Sequence, residues 1–281
     1  MARASAFIDL FSGIGGFALA AYWSGLRFDR HYFSEVNGYA AKLYQERFPE
    51  AMPLGDIKNA DYSKLPKGSW LAAGGFPCQP HSLAGKRKGS KDERDLWPEC
   101  ARMLRELRPA VALFENVPSL LVSDGGRFFN RVLSDISEGG YDAEWQTISA
   151  QEAGAPHRRE RVWIVCRDPD CGDEAKERRL APRQNAEPSG TGKGVADADL
   201  PPPPRQRAHG REALQAQPQG AAERFGFGGG AGWWAAEPGV GRVADGVPSR
   251  VDRLRGLGNA IVPQCAEMIF NLPVFDRWRS K

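Results

Sequence analysis

Near the start of the chain, Ala6-Phe7-Ile8-Asp9-Leu10-Phe11 forms a short apolar run with one acid, and it ends in Ser12-Gly13-Ile14-Gly15-Gly16. A bounded apolar run of this length predicts a buried strand. The residues after the glycines, Ala18-Leu19-Ala20-Ala21-Tyr22-Trp23, read as a helix. Strand, glycine turn and helix in succession make a nucleotide-binding βα unit of an α/β fold. The glycines also satisfy a G-x-G-x-x-A spacing. That spacing serves a dinucleotide site or simply a tight turn with close helix–strand packing, and it does not choose a cofactor.

Further strands of the same kind follow. Arg30-His31-Tyr32-Phe33-Ser34 reads as the second, with Glu35 at its end. An acid at this distance from the glycine turn suits either a carboxylate on ribose hydroxyls or a solvated strand end. A helix is predicted over 39–48. Gly55-Asp56-Ile57 comes after it, where it could close the adenine side of a nucleotide pocket.

The apolar stretch Trp70-Leu71-Ala72-Ala73 runs into Gly74-Gly75-Phe76-Pro77-Cys78-Gln79-Pro80-His81-Ser82. Glycine allows close backbone approach, while each proline fixes its own φ and pushes the residue before it toward extended geometry. Cys78 is therefore held on a stiff, non-helical turn at a strand end. An isolated turn of this kind fits a buried inert cysteine as well as an exposed thiol. Lys86, Arg87 and Lys88 lie in the glycine-hinged loop that follows. This loop reads either as solvated or as a mobile lid whose cations meet phosphates. A helix is predicted from Arg94-Asp95 to Leu107, with Leu96, Cys100, Met103, Leu104 and Leu107 at apolar spacing, so Cys100 reads as core.

Ala110-Val111-Ala112-Leu113-Phe114 is the next buried strand, and Glu115-Asn116-Val117 stands at its end. Ligands of open α/β sheets bind outside the carboxyl ends of the strands. A thiol and a carboxyl converging on that edge suit covalent catalysis with proton assistance. A strand over 144–150 and a turn lead to His157-Arg158-Arg159-Glu160-Arg161, which passes into apolar Val162-Trp163-Ile164-Val165. Alternation puts Arg159 and Arg161 on one face of a strand. Two arginines entering a core need partners. Surface salt bridges and an electrophilic clamp beside a carboxylate both fit that pattern.

Taken together, these stretches resemble the DNA (cytosine-5)-methyltransferase family. The match comprises Asp9 to Gly16, Gly75 to Ser82, Glu115-Asn116-Val117, Arg159-Glu160-Arg161 and a C-terminal Gly258-Asn259-Ala260-Ile261-Val262-Pro263-Gln264, in the family's order. One departure is His157, where the family usually has Gln. The resemblance implies a Rossmann-like sheet binding S-adenosylmethionine (AdoMet), with S-adenosylhomocysteine as product. Asp9, Phe11, Gly13, Gly15, Glu35, Asp56, Ile57, Pro77, Leu96 and Asn259 are the implied cofactor contacts. The implied catalytic residues are Cys78, Glu115, Arg159 and Arg161. Cys78 would attack C6 of a cytosine flipped out of double-stranded DNA. Glu115 would hold N3 and the amine, Arg161 would steady the base and Glu115, and C5 would then take the methyl group. Ser82, Lys86, Arg87, Lys88 and Arg242 are the expected DNA contacts.

Residues 168–232 change character, and the wider stretch 168–254 includes Pro201-Pro202-Pro203-Pro204, a polyproline II spacer or linker, and scattered arginines. The resemblance makes this region an inserted target-recognition domain. Residues 1–167 and 255–281 would form the discontinuous catalytic domain, with a helix from Pro263 to Phe270. Cys166 and Cys171 lack a second Cys/His pair nearby, so no metal site is expected. Five scattered cysteines among 281 residues, and no apolar run of membrane length, suggest a reducing, cytoplasmic compartment. No signal peptide is read before the first strand. The expected enzyme is a monomer acting on double-stranded DNA without a membrane, in a modification system that could include a cognate restriction endonuclease. Rival readings are an RNA cytosine methyltransferase, a catalytically silent DNA-binding regulator and a nicotinamide-dependent oxidoreductase.

Overall fold

The computed structural model describes residues 4–66, 68–77, 95–171 and 250–279, with backbone alone at 250 and 253–255. Cys78, Ser82, Lys86, Arg87, Lys88 and Arg242 lie outside the described residues. The strands are β1 (Ser5–Leu10), β2 (Arg30–Ser34), β3 (Met52–Pro53), β4 (Ser69–Gly75), β5 (Val111–Asn116), β6 (Asp142–Ser149) and β7 (Glu160–Arg167). They form one sheet in the order β3-β2-β1-β4-β5-β7-β6. The first five are parallel, whereas β7 runs antiparallel to both β5 and β6. This is the Rossmann-like α/β sheet anticipated from the sequence.

The near-continuous apolar runs of β1, β4 and β5 have a physical cause, since both faces of a parallel sheet are covered. Alternate residues divide between two cores. Ile8, Leu10, Trp70, Ala72 and Phe114 face α3 (Trp97–Leu107) and α4 (Arg127–Glu138). Phe7, Leu71, Ala73 and Leu113 face α1 (Gly16–Trp23) and the C-terminal α6 (Pro263–Phe270). The remaining helices are α2 (Gly38–Arg47) and α5 (Arg250–Asn259). No described helix is long and apolar enough to cross a membrane.

From β1 the chain passes outward through β2 to β3, then returns to the other side of β1 as β4. The β1/β4 boundary is thus the topological switch point, where open α/β sheets form their ligand crevice. Gly74 permits the contact there, because a Cβ on it would lie 2.9 Å from both Cβ and O of Leu10.

Three local features depart from the sequence expectations. The helix read as starting over Arg94 to Trp97 begins at Trp97, with Leu96 at its N-cap and Asp95 Oδ1 accepting the Trp97 amide at 3.1 Å. Helix α4 was not anticipated, although Phe129, Val132 and Ile136 carry its buried stripe at helical spacing. Helix α5 was not anticipated either. Gly256 and Gly258 lower its intrinsic propensity, and tertiary contacts override that.

Candidate active site

A cavity of about 500 Å³ opens along the carboxyl edge of the parallel strands. Its walls include Phe11 and Gly13 after β1, Glu35 after β2, Asp56 and Ile57, Gly75 to Pro77 after β4, Leu96, and Glu115 and Asn116 at the end of β5. Arg159, Arg161, Asp252 and Asn259 complete it. The two arginines belong to the amino end of β7. They reach this edge because β7 is antiparallel, with Val162 beside Asn116 and Trp163 beside Glu115.

The glycine turn is shaped by Glu35. Its Oε2 accepts the Gly13 amide at 2.8 Å and its Oε1 accepts the Asn37 amide at 2.7 Å. Each carboxylate oxygen retains acceptor capacity beyond its one bond. Asn37 in turn caps α2 through the Ala40 amide at 3.0 Å. Phe11 has φ 51, a left-handed conformation uncommon for a bulky residue. Such strain persists where the surroundings over-determine it, and it clusters at functional sites. Asp56 Oδ1 accepts the Lys58 amide at 3.0 Å, so the turn at Ile57 is fixed beside the cavity.

Glu115 is buried, and its Oε1 lies 2.8 Å from Arg161 Nε. Removal from water pushes its carboxyl above the usual range, although Arg161 and Arg159 pull the other way. Desolvation prevails because the side chain is nearly sealed, whereas Arg161 remains partly hydrated. Gly75 makes room for this carboxyl, since a Cβ there would lie 3.1 Å from Oε2. Burial and the Arg161 charge in turn lower the Arg159 guanidinium.

Two expected cofactor contacts, Asp9 and Gly15, do not line the cavity. Asp9 is fully buried in β1, where its Oδ2 accepts from Tyr44 Oη at 3.0 Å and burial raises its carboxyl well above normal. A strand residue pointing into a sealed layer cannot present its carboxylate to a ligand at the strand's end. Gly15 has φ 89 and packs under aromatic rings, with a Cβ position 2.7 Å from Phe48 Cε2. Its role is the turn itself.

Asn116, quoted in the Glu115-Asn116-Val117 motif, was given no role of its own by sequence reasoning. Its Nδ2 donates to Phe76 O at 2.9 Å and its Oδ1 accepts the Val117 amide at 2.8 Å. It ties the end of β5 to the end of β4, two residues before Cys78. Its place directly after a strand-end Glu was the available signal. Asp252 on α5 was missed, because α5 was not read as an element.

The sequence profile of the C-5 cytosine-specific DNA methylase family matches residues 5–218. The chain belongs to this family. Among curated relatives, it is 38% identical over 172 residues to the type II methyltransferase M.BsuFI of Bacillus subtilis, covering 59% of this chain and 40% of that protein. It is 40% identical over 159 residues to M.NgoBI of Neisseria gonorrhoeae, covering 56% and 49%. For M.HhaI of Haemophilus parahaemolyticus the identity is 37% over 161 residues, covering 57% and 48%. The match thus spans no more than about half the length of these methylase relatives.

Proposed function

We propose that this chain is a DNA (cytosine-5)-methyltransferase that modifies C5 of a cytosine flipped out of a specific double-stranded DNA sequence. The observation that carries this reading is the buried Glu115 carboxyl, paired with Arg161 and lining a cavity whose wall includes Gly75 to Pro77, the residues that precede Cys78 in the sequence. Burial shifts this carboxyl toward its protonated form, the form that can donate to a ring nitrogen of cytosine. The carboxyl also accepts from the exocyclic amine when ionised. Arg161 orients that carboxyl and offers donors to the base oxygen. Cys78 would then add to C6, making C5 nucleophilic.

AdoMet fits the other half of the cavity. Glu35 has lone pairs left for ribose hydroxyls, Phe11 offers a ring face, and Ile57 gives an apolar side. Gly13, Asp56, Pro77, Leu96 and Asn259 would complete its enclosure. Bound there, AdoMet supplies an electrophilic methyl group on a sulfonium, chemistry that needs no metal. Ser82, Lys86, Arg87, Lys88 and Arg242 remain the proposed DNA contacts, with the basic residues acting on phosphates. Residues 168–254 are the proposed recognition region, inserted between 1–167 and 255–281. The type II names of the relatives support a modification role, and the enzyme is proposed to be monomeric and cytoplasmic, with a cognate restriction endonuclease as its counterpart.

The test is methylation of a mixed-sequence duplex with AdoMet, read by bisulfite conversion. The expected result is protected cytosines in one recurring context. Cys78→Ala should protect none while still binding AdoMet. Absence of protection by wild-type protein that binds AdoMet would overturn the DNA assignment.

A further inference from the structure

The amino end of β7 and the carboxyl end of α5 meet beside the cavity. Arg159 Nη2 donates to Gly258 O at 3.1 Å and to Ala260 O at 2.7 Å. These two carbonyls bracket Asn259, which lines the cavity. Helix α5 ends at Asn259, so its last carbonyls lack intrahelical donors. A cation is the favoured partner at that pole of a helix. The same segment is confined by packing. A Cβ on Gly16 would lie 2.6 Å from Ile261 Cγ1, and one on Gly256 would lie 3.2 Å from Ile14 Cγ2. Arg159 itself has φ 22, away from the populated regions for a side-chain-bearing residue.

Arg161 has a different set of partners. Its Nε faces Glu115 and its Nη1 donates to Glu160 O at 2.8 Å. Among the described residues, the ion pair of Glu115 is with Arg161. The two arginines of one short motif therefore divide their work.

We infer that Arg159 is a positioning residue that latches the Gly258–Ala260 turn, and Asn259 with it, against the cofactor side of the cavity. It acts on AdoMet binding through that turn and not on the target base. This rests on the reading of the cavity as an AdoMet site.

The test uses the full chain with Arg159→Ala, Arg159→Lys and Arg161→Ala. AdoMet affinity is measured by calorimetry and backbone amide exchange by mass spectrometry. Arg159→Ala should weaken AdoMet by roughly 10-fold, the scale of one charge-assisted hydrogen bond. Exchange over 257–262 should speed up while β4 and β5 keep their protection, which separates the latch from general unfolding. Arg159→Lys keeps a cationic donor and should recover part of the affinity. Arg161→Ala should leave both AdoMet affinity and exchange over 257–262 unchanged. Wild-type affinity and exchange in Arg159→Ala, or equal effects of the two alanine variants, would overturn the latch. A wild-type protein that binds no AdoMet refutes the cofactor reading instead, and the exchange result then decides the latch alone.

Discussion

Gly16 and Gly38 occupy the same place in two helices, each being the first residue of its element. Local propensity treats them alike, since Gly→Ala at a compatible helical position gains about 0.5–1 kcal/mol. The structure separates them. Nothing lies within 4 Å of a Cβ on Gly38. A Cβ on Gly16 would meet Ile261 Cγ1 at 2.6 Å, with Ile261 Cδ1 at 3.4 Å and its carbonyl at 3.7 Å. Cγ1 sits one bond from a β-branched carbon with little χ1 freedom, so relief requires the backbone of the C-terminal segment to shift. Overpacking of this kind costs about 1–3 kcal/mol, which exceeds the propensity gain. Gly16→Ala should therefore be destabilised by about 1 kcal/mol or more, or roughly 2–4 °C per kcal/mol in thermal midpoint. Gly38→Ala should be unchanged or slightly stabilised. Because Ile261 follows Asn259 closely, Gly16→Ala should also weaken AdoMet binding, and Gly38→Ala should not. Thermal unfolding and calorimetric titration of both variants provide the measurement. Equal midpoints and affinities for the pair would refute the close-approach argument.

Two further predictions concern pH. Burial lowers His31 from 6.5 to about 4, with Glu50 opposing, and its Nε2 lies 2.7 Å from Tyr44 Oη. The folded state thus binds the proton less readily than the unfolded state, so this contribution is present above the unfolded value and is lost as pH falls toward the folded one. It amounts to at most about 3 kcal/mol, and His31→Gln should flatten the acid limb of the urea-unfolding curve between those values; parallel wild-type and variant curves would count against it. Glu115 is shifted upward by burial, so its favourable contribution is full below the unfolded value and is lost as pH rises through the folded one. The stability of Glu115→Gln relative to wild type should therefore grow with pH while methyl transfer disappears, and a difference that shrinks with pH would contradict the shift.

Much of the lining of the candidate cavity was legible because its parts lie at strand ends. Phe11, Glu35, Pro77 and Glu115 each follow an apolar run, and a parallel sheet brings such positions to one edge whatever the details of packing. Asp9 misled because a motif residue beside the glycine turn looked like a ligand, whereas strand alternation sends it into the layer beneath, against Tyr44. Asn116 was given no role and Asp252 was overlooked, for different reasons. The role of Asn116 is a bond to a carbonyl on another strand, and Asp252 belongs to a helix whose glycines conceal it.

The sequence by itself determined the α/β class, the succession of buried strands and the motif order that marks the methylase family. These are local properties, set by apolar periodicity and by backbone constraints at glycine and proline. Tertiary structure decided the direction of β7, which brings the start of a strand to the edge where the other strands end. It also decided that Arg161 meets Glu115 while Arg159 meets the carbonyls of Gly258 and Ala260. Neighbouring arginines have the same local chemistry. Their partners differ because segments far apart in the chain supply them, and only the folded sheet sets which segment faces which guanidinium.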